Sequence, residues 1–350
     1  MLFIIGYYAL SLKSLSVIRV ETINRDAWKF CVAPMLGVTN RHCRFLYRCL
    51  NSHIRLYTEM VTTAALMRSK DIFHRYLDFD ESQHPVVLQI GGNNPFDLAK
   101  SARIGESCGY DEININCGCP SRRVVSGSFG ACLMKDVDLV SDCLKAIMDS
   151  VSIPVSIKHR IGIDNVDSYQ FVRDFVGEIH NTGCKIFIVH ARNAILNGLS
   201  PKKNRDIPIL KYDYVYNLKK DFPDAVIILN GGISGISSVK NVENFVDGVM
   251  IGRYIMSNPL FLLDIGSIFY KENKVNYDNL INNLIKYADR ETSNGVPLRV
   301  IVKPMLNLFK GTTGAGLWRR MLSNTVSLSK NDPGLISMAW DAIGDKTVIL

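Results

Sequence analysis

Short apolar runs recur along the chain, and each ends close to a polar residue or a glycine. The runs are rich in Val and Ile and do not alternate with polar residues, which is typical of parallel strands buried on both faces. The ends of the runs are marked by Pro34, Glu59, Gln89, Asn116, Lys158, His190, Asn230 and Gly252. The pattern therefore predicts a parallel sheet with one strand at each of these markers.

The segments between these runs have the length and periodicity of helices. Two examples are Asp97 to Cys108 and Leu139 to Ile147, in which apolar residues recur at helical spacing. One strand and one helix together occupy about 30 residues, which suits the distances between the markers. We therefore predict an α/β fold, a (β/α)₈ TIM barrel with its active site at the carboxyl ends of the strands.

A different pattern follows the last predicted strand. Apolar residues recur at helical spacing from Tyr277 to Ala288 and from Leu298 to Phe309, and a loop then leads into a helix carrying Arg319 and Arg320. We therefore predict three parts: an N-terminal extension over residues 1–29, a catalytic barrel over 30–272 and a small all-helical domain over 273–350.

The N-terminal extension is apolar at first but too short to span a membrane. It has no acidic residue before Glu21, and Lys13, Arg19 and several serines give it the character of a targeting segment. A disordered start is an equally good explanation. The sequence therefore leaves a cytoplasmic and an organellar location (plastid or mitochondrion) both open.

Charge and cysteine content narrow the function. The formal net charge is +8, and the chain has nine irregularly spaced cysteines, which favours a reducing compartment and no disulfide scaffold or metal site. Basic residues cluster at Arg41, Arg44 and Arg48, at Arg122 and Arg123, at Lys202, Lys203 and Arg205, and at Arg319 and Arg320. A solvated surface is the commoner explanation for any one cluster. Together, around one mouth, they indicate a polyanionic partner such as nucleic acid.

The loop after the fourth predicted strand carries the strongest candidate for catalysis. Cys119 lies between Gly118 and Pro120, with Arg122 and Arg123 close behind it. Cysteine is normally buried as a small hydrophobic residue, whereas cationic neighbours make a loop thiol a usable proton donor near neutral pH. An inert loop cysteine would be the better explanation if Cys119 stood alone.

Glycines mark a candidate phosphate site. LNGG at 229–232 and IGR at 251–253 end the seventh and eighth predicted strands, where TIM barrels frequently bind phosphate. Glycine lets backbone N–H groups approach the anion, and Arg253 can add a charge-assisted hydrogen bond. Lys158 stands inside an otherwise apolar strand, so we expect its side chain to point into the barrel mouth and not to snorkel at the surface.

These residues resemble the tRNA-dihydrouridine synthase family, and in particular its bacterial A-type subfamily. The matching segments include APML at 33–36, TNRHCR at 39–44, LYTEMVTT at 56–63 and HPVVLQIGG at 84–92. The match continues through GYDEININ, GCPSRRV, FGACLM, HAR, GLSPKKNRDIP, DGVMIGR and LWRRMLS. The resemblance covers most of the chain, from about Phe30 to Arg320.

The resemblance implies an FMN-dependent oxidoreductase that uses NADPH to reduce uridine to 5,6-dihydrouridine in the D-loop of tRNA. Hydride would come from reduced FMN and a proton from Cys119, with Asn116 orienting the uracil. The implied cofactor residues are Ala33, Pro34, Met35, Gln89, Lys158, His190, Asn230, Gly231, Gly232, Gly252 and Arg253. We assign tRNA contacts to Arg122, Lys202, Lys203, Arg205, Arg319 and Arg320, and we expect a monomer without membrane attachment.

The chain departs from the family pattern at two places. The family usually has an acidic and then an aromatic residue after Leu36, where this chain has Gly37 and Val38, and this predicts a looser loop near the flavin. Lys303 and Pro304 replace an arginine and a histidine, so a bidentate fork is lost and the helix is perturbed.

Three other functions fit some of these residues. A lyase on the same barrel could use Lys158 as a Schiff-base amine. A non-catalytic tRNA-binding protein would keep the basic surfaces alone, and a flavin enzyme acting on a free pyrimidine would not need the helical domain.

Overall fold

The computed structural model describes residues 24–68, 76–273 and 275–343. Most of the predicted N-terminal extension therefore lies outside the described residues. The part of it that is described forms a short 3-10 helix, Arg25–Trp28, whose Trp28 is buried. The boundary placed before residue 30 stays a prediction.

The strands form one closed parallel barrel. They are β1 (Phe30–Val32), β2 (Arg55–Tyr57), β3 (Val61–Thr62), β4 (Val86–Gly91), β5 (Glu112–Cys117), β6 (Val155–Arg160), β7 (Ile186–His190), β8 (Val226–Asn230) and β9 (Gly248–Ile251). The order is β2-β1-β9-β8-β7-β6-β5-β4, and pairing of β2 with β4 closes the barrel. The short β3 pairs only with β4, so the predicted second strand is divided in two.

Helices follow most strands and surround the barrel. They are α1 (Arg41–Leu50), α2 (Thr63–Arg68), α3 (Pro95–Ser107), α4 (Arg122–Ser126), α5 (Val137–Met148), α6 (Tyr169–Asn181), α7 (Tyr212–Asp221), α8 (Ile236–Lys240), α9 (Arg253–Ser257) and α10 (Phe261–Tyr270). Helices α3 and α5 confirm the two helical segments predicted from periodicity. The predicted TIM barrel is confirmed.

The C-terminal helical region is also confirmed. Its helices are α11 (Tyr277–Ser293), α12 (Leu298–Val302), α13 (Ala315–Leu322), α14 (Thr325–Ser329) and α15 (Gly334–Asp341). The region packs on α1, where Phe45 stacks on Tyr287 with ring centroids 3.8 Å apart and His42 Nδ1 lies 2.7 Å from the Tyr287 hydroxyl. Helix α12 gives way at Lys303 to a 3-10 helix, Lys303–Asn307, because Pro304 removes a backbone donor.

Alternate residues of each strand face two different environments. Outward-facing residues form a large apolar cluster with the helices, and inward-facing residues such as Tyr57, Ile188 and Ile228 form a smaller cluster inside the barrel. This double burial explains why the strands read as continuous apolar runs.

One side of the barrel interior is polar. Glu112 lies at the start of β5, completely buried, and accepts hydrogen bonds from Trp28 Nε1 at 2.8 Å, Arg55 at 3.0 Å and Tyr57 at 3.2 Å. Burial raises the pKa of the Glu112 carboxyl, and the neighbouring Arg55 opposes that rise. Trp28 precedes β1 and donates to Glu112 at the start of β5. The residues before β1 therefore close the end of the barrel that lies opposite the candidate site.

Gly248, the first residue of β9, allows a test of the packing at this closed end of the barrel. A Cβ there would collide with the carbonyl oxygen of Trp28 and lie 2.9 Å from its carbonyl carbon. Overpacking in a rigid core costs about 1–3 kcal/mol, so we expect Gly248→Ala to lower Tm clearly. Gly316→Ala is the matched control, because a Cβ at Gly316 meets no atom within 4 Å. Equal Tm values for the two variants in thermal unfolding would contradict this packing argument.

The structure corrects part of the predicted basic rim. Arg44 and Arg48 are buried, and Arg48 donates hydrogen bonds to backbone carbonyls, including that of Ile54 at 2.7 Å. Arg44 donates to Gln83 Oε1 at 2.9 Å. Arg41 forms ion pairs with Asp78 and Glu291. These contacts connect α1 to the neighbouring segments. The buried guanidinium groups of Arg44 and Arg48 in particular need several acceptors.

Within the described residues, every helix is too short or too polar to cross a lipid bilayer.

Candidate active site

Strand register brings the predicted site residues side by side. Asn116 on β5 pairs with Lys158 on β6, and Arg160 on β6 pairs with His190 on β7. His190 in turn pairs with Asn230 on β8. The carboxyl ends of four neighbouring strands therefore present a continuous belt of polar side chains.

This belt lines a cavity of about 1460 Å³ at the carboxyl end of the barrel. All of the residues assigned to the cofactor line it, as do Cys119 and Asn116. Pockets for single small ligands usually measure roughly 300–1,000 Å³. The cavity is therefore large enough to hold a second ligand group beside a cofactor.

The backbone of the Cys119 loop is held by Asn116. Asn116 Oδ1 accepts hydrogen bonds from the N–H of Gly118 at 3.1 Å and from the N–H of Cys119 at 3.0 Å. The thiol is partly exposed to the cavity, and Sγ lies 3.5 Å from Ser121 Oγ. Asn116, near the end of β5, therefore sets the position of the Cys119 thiol in the cavity.

The amide of Asn116 belongs to a chain of side-chain amides. Asn116 Nδ2 donates to Gln89 Oε1 at 2.9 Å, and Gln89 Nε2 donates to Asn114 Oδ1 at 2.6 Å. Asn114 Nδ2 donates to Ser156 Oγ at 2.7 Å, and Ser156 donates to Glu112. Each amide is therefore oriented by the next, down to the buried carboxylate.

Lys158 projects from β6 into the cavity. Its Nζ donates to Asn230 Oδ1 at 3.0 Å, and Asn230 Nδ2 donates to the carbonyl of Met250 at 2.7 Å. Burial, aided by the nearby Arg160, lowers the pKa of Lys158 to about 7. Lys158 thus presents an amine whose charge an incoming anion would stabilise.

Burial and the surrounding cations, chiefly Arg160 and Lys158, keep the pKa of His190 well below its usual value. The imidazole is therefore neutral at pH 7 and has one N–H donor and one acceptor nitrogen. A Cβ at Gly231, where φ is +111°, would lie 2.7 Å from the His190 ring. Only glycine lets the backbone turn this close to His190.

The remaining glycine positions fit a phosphate-bearing cofactor. A Cβ at Gly232 would meet the Tyr212 hydroxyl at 2.7 Å, and one at Gly252 would lie 3.3 Å from Met35 Sδ. Arg253 forms an ion pair with Asp206 and donates to the carbonyl of Arg205 at 3.0 Å. We call Gly231, Gly232, Gly252 and Arg253 the glycine cradle, because all four line the cavity and could bind a phosphate group there.

Arg160 is a site residue that was not among the predicted ones. It is 3% exposed, and its guanidinium donates to the carbonyls of Gly118 at 3.2 Å, Asn193 at 3.1 Å and Asn204 at 2.9 Å. It thus joins the Cys119 loop to the long loop after β7. Burial lowers its pKa to about 9. Its signal in the sequence was an arginine at a strand end, two residues after Lys158.

The residues assigned to tRNA are divided by the structure. Lys202 and Arg205 line the cavity mouth, together with Arg123, which was not assigned to tRNA. Arg122, Lys203, Arg319 and Arg320 are exposed outside the cavity lining. Arg319 donates to Asn307 Oδ1 at 2.8 Å. Their contacts with a substrate stay predictions.

Lys158, Arg160 and Arg205 line the same cavity as Cys119 and add to the positive charge predicted there from Arg122 and Arg123. Strand ends that are distant in sequence supply the positive charge because β6 lies beside β5 in the barrel.

No arrangement of three potential metal ligands occurs among the described His, Cys, Asp and Glu residues.

Fold and site together define a TIM barrel whose cavity, at the carboxyl ends of the strands, is lined by the glycine cradle, Lys158 and Cys119. The family model described as dihydrouridine synthase matches residues 31–342. The chain is 46% identical over 323 residues to the tRNA-dihydrouridine(20/20a) synthase of Salmonella typhi, covering 91% of this chain and 96% of that protein.

Two further relatives carry the same name. The Escherichia coli K12 protein is 46% identical over 321 residues, covering 91% of this chain and 92% of the relative. The Yersinia pestis protein is 47% identical over 298 residues, covering 84% of this chain and 86% of the relative. The chain belongs to the dihydrouridine synthase family. The resemblance found in the sequence is thereby confirmed, and the family does not support the lyase hypothesis.

Proposed function

We propose that this protein reduces uridine to 5,6-dihydrouridine in the D-loop of tRNA, with FMN as cofactor and NADPH as reductant. Bound FMN, once reduced, would supply the hydride that adds to carbon 6 of the uracil. The observation that carries the proposal is that Cys119 and Lys158 line one cavity together with the glycine cradle. A proton donor, a cation and a phosphate site thus meet in a single space.

Several residues are suited to hold the cofactor. Gly231, Gly232, Gly252 and Arg253 would bind the phosphate, and Asn230 would position Lys158 through the hydrogen bond of 3.0 Å between them. The charged amine of Lys158 would stabilise negative charge on the pyrimidine end of the ring. Ala33, Pro34 and Met35 would lie along the ring, Gln89 would bond its polar edge, and neutral His190 would contact it.

Cys119 would complete the reaction as general acid. Addition of hydride at carbon 6 leaves an enolate that must gain a proton at carbon 5, and the thiol would donate that proton. Asn116 is suited to orient the uracil because its second Nδ2 hydrogen is not needed for the bond to Gln89. Since Asn116 also holds the Cys119 backbone, it would align base and acid together.

The exposed cations would bind the phosphate backbone of the tRNA. Lys202 and Arg205 lie at the cavity mouth, Lys203 follows Lys202 directly, and Arg122 begins α4 beside the cavity-lining Arg123. Arg319 and Arg320 on α13 would extend this surface into the helical region. Each neutralised phosphate releases counterions, so we propose that tRNA binding weakens steeply as salt increases.

The test is incubation with tRNA that lacks dihydrouridine, followed by base-by-base mapping of the product. We expect dihydrouridine in the D-loop only when both FMN-loaded protein and NADPH are present. Reactions without NADPH, and reactions with free uridine in place of tRNA, are the controls. Absence of product from protein whose flavin is bound and reduced would contradict the proposal. Product from free uridine at the same rate would instead favour an enzyme for free pyrimidines.

A further inference from the structure

The loop between β1 and α1 holds one apolar side chain in solvent. Leu36 is 81% exposed, the highest value among the large hydrophobic side chains that the structure describes. It lines the mouth of the cavity. A single exposed leucine is ordinary on a protein surface, so what distinguishes Leu36 is its position at the mouth of the cavity that holds the candidate site.

The loop that presents Leu36 is anchored on both sides. Gly37, with φ at +76°, donates its N–H to the Glu59 carboxylate, and its carbonyl accepts a hydrogen bond from Lys303 Nζ at 3.2 Å. Within the loop, the N–H of Thr39 donates to the carbonyl of Met35 at 2.9 Å. Gly37 and Val38 predict a looser loop, whereas these hydrogen bonds connect its tip to the barrel and to the helical region. Leu36 therefore projects from an anchored loop.

Leu36 shares its cavity with cations and with the candidate general acid. Arg123 and Lys202 line this cavity, as does Cys119 in the loop after β5. The Glu59 carboxylate accepts a hydrogen bond from the N–H of Gly37 in the Leu36 loop. A base must leave its stack to reach a recessed thiol, and proteins that open a stack commonly insert an apolar side chain into the gap.

We propose that Leu36 is a wedge that inserts into the space vacated by the reacting uridine in the tRNA. This inference rests on the proposed function, because the bases that Leu36 would contact are those next to the uridine that the enzyme reduces. Leu36 is a positioning residue in this role: it would hold the base out of the stack and would take no part in proton or hydride transfer. The cations around it would hold the flanking phosphates.

The first test compares Leu36→Ala with wild type in dihydrouridine formation. Losing the burial of one leucine should lower kcat/KM for tRNA by about 10- to 100-fold. Leu36→Met keeps the apolar volume and should restore most of the activity. Ile268→Ala is the matched control, since Ile268 is also exposed but lies on α10 next to Phe269, which packs on Phe30 at the opposite end of the barrel. Because Leu36 is exposed, we expect every variant to keep the wild-type Tm.

The second test measures base stacking directly. A tRNA with 2-aminopurine beside the mapped uridine should become more fluorescent on binding wild type, and Leu36→Ala should suppress that rise. Wild-type kcat/KM and an unchanged fluorescence rise in Leu36→Ala would overturn the wedge. If wild type forms no dihydrouridine, the proposed function fails. The 2-aminopurine is then placed beside each D-loop uridine in turn, and the difference in fluorescence between wild type and Leu36→Ala still decides whether Leu36 enters the stack.

Discussion

Cys119→Ala is expected to lower dihydrouridine formation by about 10²- to 10⁴-fold, the usual contribution of a positioned general acid. FMN should still bind and NADPH should still reduce it, because the phosphate cradle and Lys158 belong to other strands. The thiol is the group that faces the cavity from a loop whose backbone Asn116 holds at 3.0 Å. The measurement is single-turnover product formation from protein that was reduced before tRNA is added.

Cys132→Ala is the matched control for this experiment. Cys132 is likewise partly exposed and close in sequence, but its thiol donates to the carbonyl of Phe129 at 2.9 Å and it does not line the cavity. It should therefore retain wild-type turnover. Full activity in Cys119→Ala would show that another group supplies the proton, whereas equal losses in both variants would indicate damage to the loop.

The barrel could be predicted because its strands are buried on both faces. A parallel strand covered by helices outside and side chains inside needs apolar residues at every position, and this leaves a continuous signal in one segment of sequence. The site was predictable for a related reason. Lys158 and Asn116 interrupt that signal near the ends of their strands, where they reach the cavity, whereas Glu112, Asn114 and Ser156 interrupt it deeper in the barrel.

Features that depend on distant partners could not be predicted in this way. Arg48 and Arg160 are buried because carbonyls from separate loops converge on them, and no local pattern records that convergence. The same holds for the contact between Lys303 and Gly37, which are far apart in the chain. The sequence showed each of those two positions as an isolated departure from the family pattern, and only the fold shows that they touch.

Lys158→Met is expected to weaken FMN binding and to slow reduction by NADPH by about 10²- to 10³-fold, comparable to the loss of one preorganised donor. Methionine keeps much of the apolar volume of the lysine stem but removes the hydrogen bond to Asn230. Flavin affinity is measured by fluorescence titration and the reductive step by stopped-flow absorbance. The substitution leaves Glu112 and the other residues inside the barrel unchanged, so Tm should fall little.

The pH dependence of FMN binding gives a sharper test of the same residue. Burial lowers the pKa of Lys158 to about 7, so the amine is protonated below that pH and neutral above it. Reduced FMN would place negative charge beside this amine and so favour its protonated form, and wild-type affinity for reduced FMN should therefore be highest below pH 7 and fall by up to about tenfold per pH unit above it. Lys158→Met should lose this decline, whereas titration of the FMN phosphate would persist in both proteins. Parallel pH profiles for the two proteins would show that Lys158 carries no charge toward the cofactor, and its contribution would then have to be steric.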